Sequence, residues 1–373
     1  MRIGLLQYCI PIALAMLSWF ISLGDPFSIF FSILVFSIFV LLVIRNKGLS
    51  LIAFFVFSSI YLLLLALDAF QFTYLPQLRG YIHLDPFEML AAGDKWAPRF
   101  LVSYPSILLS NILDIDLDFA FTIYNIGLFL IMMFLLLNIG KIVRPKYAMV
   151  FLIVSILSFV FLSFIMNGRL IAAFLGITII LYIQIKAIWR KNGIRLIDYL
   201  LMVIGCFIST VSSGTMIVAF VQLFMGSFVV LKITKKKVRY LVLYLGLFLG
   251  AFGTYLIVMI NKNLDFFGGG LAGLINMFHH GIGVILFLNK WIVLVFTFMV
   301  CLFVWIYVKL FKQVLKNEVL LMPILVSIPI CFSSGMFGFS TALMIVPSMI
   351  ILSCYSIIFV ITFLKNKEIA EEE

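Results

Sequence analysis

Charge is scarce in this chain. Only 11% of its 373 residues are Asp, Glu, Lys or Arg, against about 25% in ordinary soluble domains. Histidine is scarcer still, with three copies. The five cysteines, Cys9, Cys206, Cys301, Cys331 and Cys354, show no CxxC spacing and all lie in apolar stretches. They read as small core hydrophobes, neither disulfide partners nor metal ligands. There is no HExxH, no GxSxG and no helix-borne metal spacing, which argues against an intramembrane metalloprotease or a serine hydrolase. No metal and no cofactor is expected.

What fills the chain instead is apolar: 65% of it is hydrophobic. A soluble fold has too little polar surface to cover that much oil. A soluble enzyme, a disordered protein and a nucleic-acid-binding domain are excluded. So is an outer-membrane barrel, because its strands would alternate apolar and polar residues. The apolar runs are continuous and about 20 residues long, the length of a helix crossing about 30 Å of hydrocarbon. The fold class expected is an all-α polytopic membrane protein, one integral membrane domain over 1–373.

Twelve crossings are predicted, at 5–23, 27–44, 50–67, 119–138, 147–165, 170–185, 199–211, 215–231, 240–260, 291–308, 319–333 and 340–364. The stretch 199–231 carries no charge but has Lys186, Arg190, Lys191 and Arg195 before it and Lys232, Lys235, Lys236, Lys237 and Arg239 after it. Both clusters favour the cytoplasm, so the stretch reads as a tight hairpin with its tip at Ser212-Ser213-Gly214. The stretch 319–364 reads likewise, and both termini fall inside. Outside remain only Arg79, Lys95, Arg99, Arg169, Lys262 and Lys290, six of the 26 Lys and Arg residues. The net charge of +11 is then a positive-inside signal and not a nucleic-acid footprint. Residues 1–24 resemble a signal peptide in part, but the apolar run is as long as a full span and is read as an uncleaved first helix.

Every charged residue falls outside these segments. Ion-coupled transport and voltage sensing need ionisable groups at membrane depth, so both are disfavoured. The chemistry-bearing residues gather on the outer face, in loops of about 68–118 and 261–290. The first mixes Tyr74, Tyr81, Phe87, Trp96, Phe100 and Tyr104 with Arg79, His83, Asp85, Glu88, Asp94, Lys95 and Arg99. Flat rings stack on sugar faces and carboxylates accept hydroxyl donors; the competing reading is an interfacial aromatic belt with solvated charges. Its stretch 101–113 is apolar but too short to cross, and reads as an interfacial or re-entrant helix. The second carries Lys262, Asp265, Phe266, Phe267, Gly268-Gly269-Gly270 and His279-His280. Adjacent histidines point to different sides, a poor metal pair, but either is a candidate general base. Arg169 stands in the short outer turn Met166-Asn167-Gly168-Arg169. Its planar fork suits a phosphate, and snorkelling to lipid headgroups is the alternative. Ser209, Thr210, Ser212, Ser213 and Thr215 cluster at a hairpin tip and are read as satisfying backbone there.

In layout, and in the stretches Phe164-Ile165-Met166-Asn167-Gly168-Arg169-Leu170-Ile171-Ala172-Ala173-Phe174 and Ser209-Thr210-Val211-Ser212-Ser213-Gly214-Thr215, the chain resembles the Wzy-type O-antigen polymerases. The resemblance implies a multi-pass protein of the bacterial inner membrane. It would join oligosaccharide repeat units carried on undecaprenyl pyrophosphate, at the periplasmic face. Membrane lipid and a chain-length regulator protein are the further partners it implies, with no nucleic acid. The O-antigen ligases share this architecture but usually have a larger late loop than 261–290. On this reading Arg169, His279, His280, Glu88 and Asp94 are the catalytic candidates. Arg79, Arg99, Trp96, Tyr104 and Lys290 are the substrate-binding ones. The alternatives are a membrane glycosyltransferase with a polyprenyl-phosphate-sugar donor, which would rely on Asp85, Glu88 or Asp94, and a polysaccharide flippase or transporter.

Overall fold

A computed structural model describes residues 74–94, 96–143, 169–190, 195–211, 215–224, 253–279 and 290–317, with isolated positions at 246, 250, 321, 324, 325 and 360. The described residues are helical, with no strand among them. Predicted crossings 5–23, 27–44, 50–67 and 147–165 lie outside them, as does nearly all of 319–364.

The stretch read as the first outer loop is itself folded. Three helices occupy it: α1 (Leu75–Gly80), α2 (Pro86–Ala91) and α3 (Ala97–Leu113). Pro76, Pro86 and Pro98 each stand in a first turn, where the missing N–H has no intrahelical partner to lose. Asp85 Oδ1 accepts the Phe87 N–H at 2.7 Å and caps α2. Asp114 ends α3 in the left-handed region at φ 51°. Ser110 Oγ then donates to the Ile115 carbonyl at 2.7 Å, so three residues turn α3 back along α4 (Leu117–Val143). This is an antiparallel helical hairpin. Tyr124 Oη, two turns into α4, donates to the Val102 carbonyl of α3 at 2.6 Å and fixes the register. The 101–113 stretch is thus helical, and its helix begins four residues earlier, at Ala97.

Helix α5 (Arg169–Arg190) is the centre of the assembly. Its span Leu170–Trp189 is, among the described residues, the one helix found long and apolar enough to cross a membrane. It is buried nearly all round, Leu170 through Leu175 without exception, as a helix apolar on every side must be. It packs against α4 on one side and α6 (Leu196–Ser209) on another. The α5–α6 contact is made by small residues. A Cβ added at Gly176 would meet the Gly205 carbonyl and Ser209 Oγ, and one added at Gly205 would lie 2.7 Å from the Gly176 carbonyl. Glycine costs helical stability of about 1 kcal/mol relative to alanine, and here it permits the two backbones to touch. Ser209 Oγ reaches across to the Ala173 carbonyl at 3.3 Å. At the opposite ends, Asp198 accepts the Arg195 N–H at 3.1 Å and the Lys186 ammonium at 3.4 Å.

After α6 the chain turns at Thr210-Val211 and re-enters a helix, α7 (Thr215–Phe224). Thr210 Oγ1 donates to the Phe207 carbonyl and Thr215 Oγ1 to the Ser209 carbonyl, at 2.6 and 2.9 Å. The hydroxyls of Ser209, Thr210 and Thr215 therefore serve the backbone; Ser212 and Ser213 lie outside the described residues. Gln184 Nε2 of α5 donates to the backbone carbonyl of Gln222 on α7.

Two helix ends differ from the apolar boundaries. α8 (Thr254–Phe266) continues past 260 through Lys262 and Asp265, and α10 (Lys290–Asn317) continues past 308 through Lys309 and Lys312. Apolar runs mark what faces oil, whereas polar residues with good helix propensity extend a helix until something stops it. Lys309 lies over the Trp305 ring one turn back, 5.4 Å from its centroid. Between α8 and α10 lies α9 (Gly270–Phe278).

The glycine contact makes a prediction. Gly176→Leu should overpack the α5–α6 seam and lower stability by about 1–3 kcal/mol or more. Gly127→Ala, at a site in α4 with nothing within 4 Å of the new Cβ, should be neutral or mildly stabilising. Thermal denaturation of the detergent-solubilised variants is the check, and equal melting temperatures would contradict the seam.

Candidate functional site

Rings join the start of α1 to α4, and the end of α1 to α3. Tyr74 and Phe121 lie 6.0 Å apart, Tyr81 and Phe100 5.1 Å, and Phe100 and Tyr104 5.5 Å edge-on. Tyr74, Leu78, Phe100 and Phe121 are buried. Beside these rings sits a row of buried polar groups: Arg99, Ser103 and Ser106 on α3, and Thr122 and Asn125 on α4. The three α3 residues recur at helical spacing, so one face of that helix is polar yet turned inward. Ser103 Oγ is within hydrogen-bond reach of both the Tyr74 hydroxyl, 3.3 Å, and the Arg99 carbonyl, 3.2 Å. Ser106 Oγ donates to the Ser103 carbonyl, Thr122 Oγ1 to the Asp118 carbonyl and Asn125 Nδ2 to the Phe121 carbonyl.

Arg99 is the strongest chemical feature here. Only 7% of it is exposed, and its guanidinium carbon lies 4.2 Å from the centroid of the Trp96 ring. A guanidinium does not give up its proton in proteins, so this is a permanent positive charge held in a mostly apolar wall. Cation–π attraction to indole contributes about 2 kcal/mol when both groups are desolvated. Trp96 is therefore a support for Arg99, and its ring face is engaged.

Arg79 is used differently. Its Nη2 donates to both Asp118 oxygens, at 2.7 and 2.6 Å. The hydrogen bond and the charge of Asp118 together hold the Arg79 guanidinium above its ordinary pKa. This exposed pair clips α1 to the first turn of α4. Asp94 is also structural in geometry: its Oδ1 accepts the Trp96 N–H at 2.8 Å and shapes the entry to α3. Glu88 stands in the first turn of α2, exposed, on a helix that packs against α3. Tyr104 is half-buried on α3.

The remaining candidates lie on other elements. Arg169 opens α5, one turn before Ala172, which shares an apolar cluster with Val102 of α3 and Val211. The start of α5 and the middle of α3 are thus neighbours. His279 is exposed at the end of α9, and Lys290 opens α10. His280 lies outside the described residues. The structure stacks Arg99 on Trp96 at the start of α3, sets Tyr104 farther along that helix against Phe100, leaves Glu88 on the neighbouring helix α2, and ties Arg79 to Asp118. Among the described residues no three His, Cys, Asp or Glu side chains gather where a metal ion would fit.

Ser103, Ser106, Thr122, Tyr124 and Asn125 were not among the sequence candidates. The i, i+4, i+7 repeat of Arg99, Ser103 and Ser106 is the signal that marks the α3 part of this face. No protein family, curated protein or solved structure matches the chain.

Two predictions follow from these roles. If Asp94 serves the turn before α3, Asp94→Asn should keep its stability in thermal denaturation, while Asp94→Ala should lose about 1 kcal/mol. An Asn variant that melts as early as the Ala variant would contradict that role. A double-mutant cycle on Arg79 and Asp118, followed by thermal denaturation, should give a coupling of no more than about 1 kcal/mol, since both side chains are partly solvated.

Proposed function

We propose that this chain is a polytopic inner-membrane glycosyltransferase of the O-antigen polymerase type. Its substrates are oligosaccharide repeat units linked to undecaprenyl pyrophosphate. Helices α1–α3 form a cap on the periplasmic side, and the twelve-crossing topology carries it. The observation that supports the reading is Arg99: a permanent cation, buried and backed by an indole, on a cap helix that packs against the apolar helix α4. A lipid-linked pyrophosphate brings its negative charge to that kind of boundary.

The reaction joins two repeat units. A hydroxyl of the incoming unit attacks the anomeric carbon of the growing chain, a new glycosidic C–O bond forms, and the C–O bond to pyrophosphate breaks. The hydroxyl proton passes to a base, and undecaprenyl pyrophosphate leaves with the bonding electrons. Charge grows on the leaving group, so a cation fixed beforehand lowers the barrier without reorganisation. Arg99 and Arg169 take that role in this proposal, and Glu88, exposed on the helix packed beside α3, is the base on the same cap. The glycosyltransferase with a polyprenyl-phosphate donor would rest on Asp85, Glu88 or Asp94, of which Asp85 and Asp94 have carboxylates that accept backbone N–H groups.

Removal of the gene should leave surface polysaccharide with single repeats on a gel. With purified enzyme and a lipid-linked repeat unit, Arg99→Ala and Arg169→Ala should each lose about a hundredfold in rate, or about 3 kcal/mol. The Lys variants should retain part of the activity, since they keep the charge without the bidentate fork. Long polymer from a stably inserted Arg99→Ala, Arg169→Ala double variant would overturn the assignment.

A further inference from the structure

Helices α5 and α7 each contain a single side-chain amide, Gln184 and Gln222. Both are buried, at 3% and 1% exposure. They belong to one contact, since Gln184 Nε2 donates to the main-chain carbonyl of Gln222. Their surroundings along each helix are apolar. Ile180, Leu181 and Ile188 share the helix face of Gln184, Val218 and Ala219 share that of Gln222, and all five are buried.

The contact leaves two acceptors over. Among the described residues, neither Gln184 Oε1 nor Gln222 Oε1 receives a hydrogen bond. Turning the Gln184 amide over would set its oxygen against the Gln222 carbonyl oxygen, so that carbonyl decides which end of the amide is left. A buried amide oxygen that accepts nothing has lost its hydration without return, and native interiors rarely keep one in that state. Two such oxygens in one contact call for a donor that the two helices do not supply.

Their chemistry narrows the donor. A metal cation would need about six oxygens and would add a buried charge. Asp198, the acidic residue of the adjoining helix α6, already holds the Lys186 ammonium and the Arg195 N–H. A saccharide or a lipid headgroup is too large for a site whose two polar side chains are almost wholly enclosed. A small neutral molecule with O–H donors fits.

We propose that the α5–α7 contact is a site for internal water, which donates its O–H groups to Gln184 Oε1 and Gln222 Oε1. Water held there ties α7 to α5 at a level where both helices otherwise present apolar side chains. The site is independent of the enzymatic reading of the chain.

The test uses the full chain in lipid nanodiscs and a density map at a resolution that shows ordered water. A water peak should stand about 2.8 Å from Gln184 Oε1 and from Gln222 Oε1, whether one molecule bridges the two or each has its own. No peak at either oxygen, or a peak at only one, would overturn the proposal. So would a peak ringed by about six oxygens, which is a cation, or a protein side chain donating to either amide oxygen. Thermal denaturation of Gln222→Met gives a second reading, because methionine keeps the length of the side chain and removes the acceptor. The variant should melt below the wild type if water is bound. An equal or higher melting temperature would mean that the oxygen was dry, since its removal then costs nothing, and would also overturn the proposal. If the Met variant does not insert, the wild-type map carries the test alone.

Discussion

Two carbonyl groups set the distance between α5 and α6. The Gly176 carbonyl faces Gly205, and the Gly205 carbonyl faces Gly176, so neither position has room for a methyl group. What holds these two helices is close contact and the few hydrogen bonds that close contact permits. Ser209 Oγ bonded to the Ala173 carbonyl is one such bond. Everything that surrounds α5 depends on this seam. Its other side receives α4, and its first turn meets α3 through Ala172 and Val102, with Leu128, Phe207 and Ile208 packed around them.

The cap inherits its position from that cluster. α3 is held along α4 by the Tyr124 hydroxyl on the Val102 carbonyl, and Val102 is one turn from Arg99. Arg99 is thus placed by packing and supported by Trp96, while Arg79 is held by a solvated carboxylate. Two arginines in one loop, twenty residues apart in sequence, differ in their electrostatic setting for that reason. A buried cation keeps much more of its field than an exposed one, because water is not there to screen it.

The two stretches read from the sequence as outer loops also divide by what they expose. The first hides an aromatic core and a row of hydroxyls beneath its three helices. The second turns phenylalanine and leucine outward on a backbone-to-backbone hairpin. One resembles a lid over a polar face, and the other an apolar paddle.

Composition and the length of the apolar runs pointed to a chain rich in apolar helices, with 11% charged and 65% hydrophobic residues, and the described residues are all-α. The helix in 170–185 was legible from an unbroken apolar run, and a reversal within 199–231 from clustered hydroxyls that compete for backbone partners; its predicted tip, Ser212-Ser213-Gly214, lies outside the described residues, and the described turn is at Thr210-Val211. Pro76, Pro86 and Pro98 stand in the first turns of helices in a stretch read as loop, where proline costs no intrahelical hydrogen bond. Hydropathy placed the ends of α8 and α10 too early, because it measures oil and not hydrogen bonding. The site was legible only as an inventory. Arg79, Arg99 and Asp94 look alike in a line of text, being polar residues in an outer loop. Tertiary packing made one an ion-pair clip, one a buried cation and one a backbone cap. Burial and partners depend on residues far away in sequence, such as Asp118 for Arg79, and no local pattern records which of those the chain will bring near.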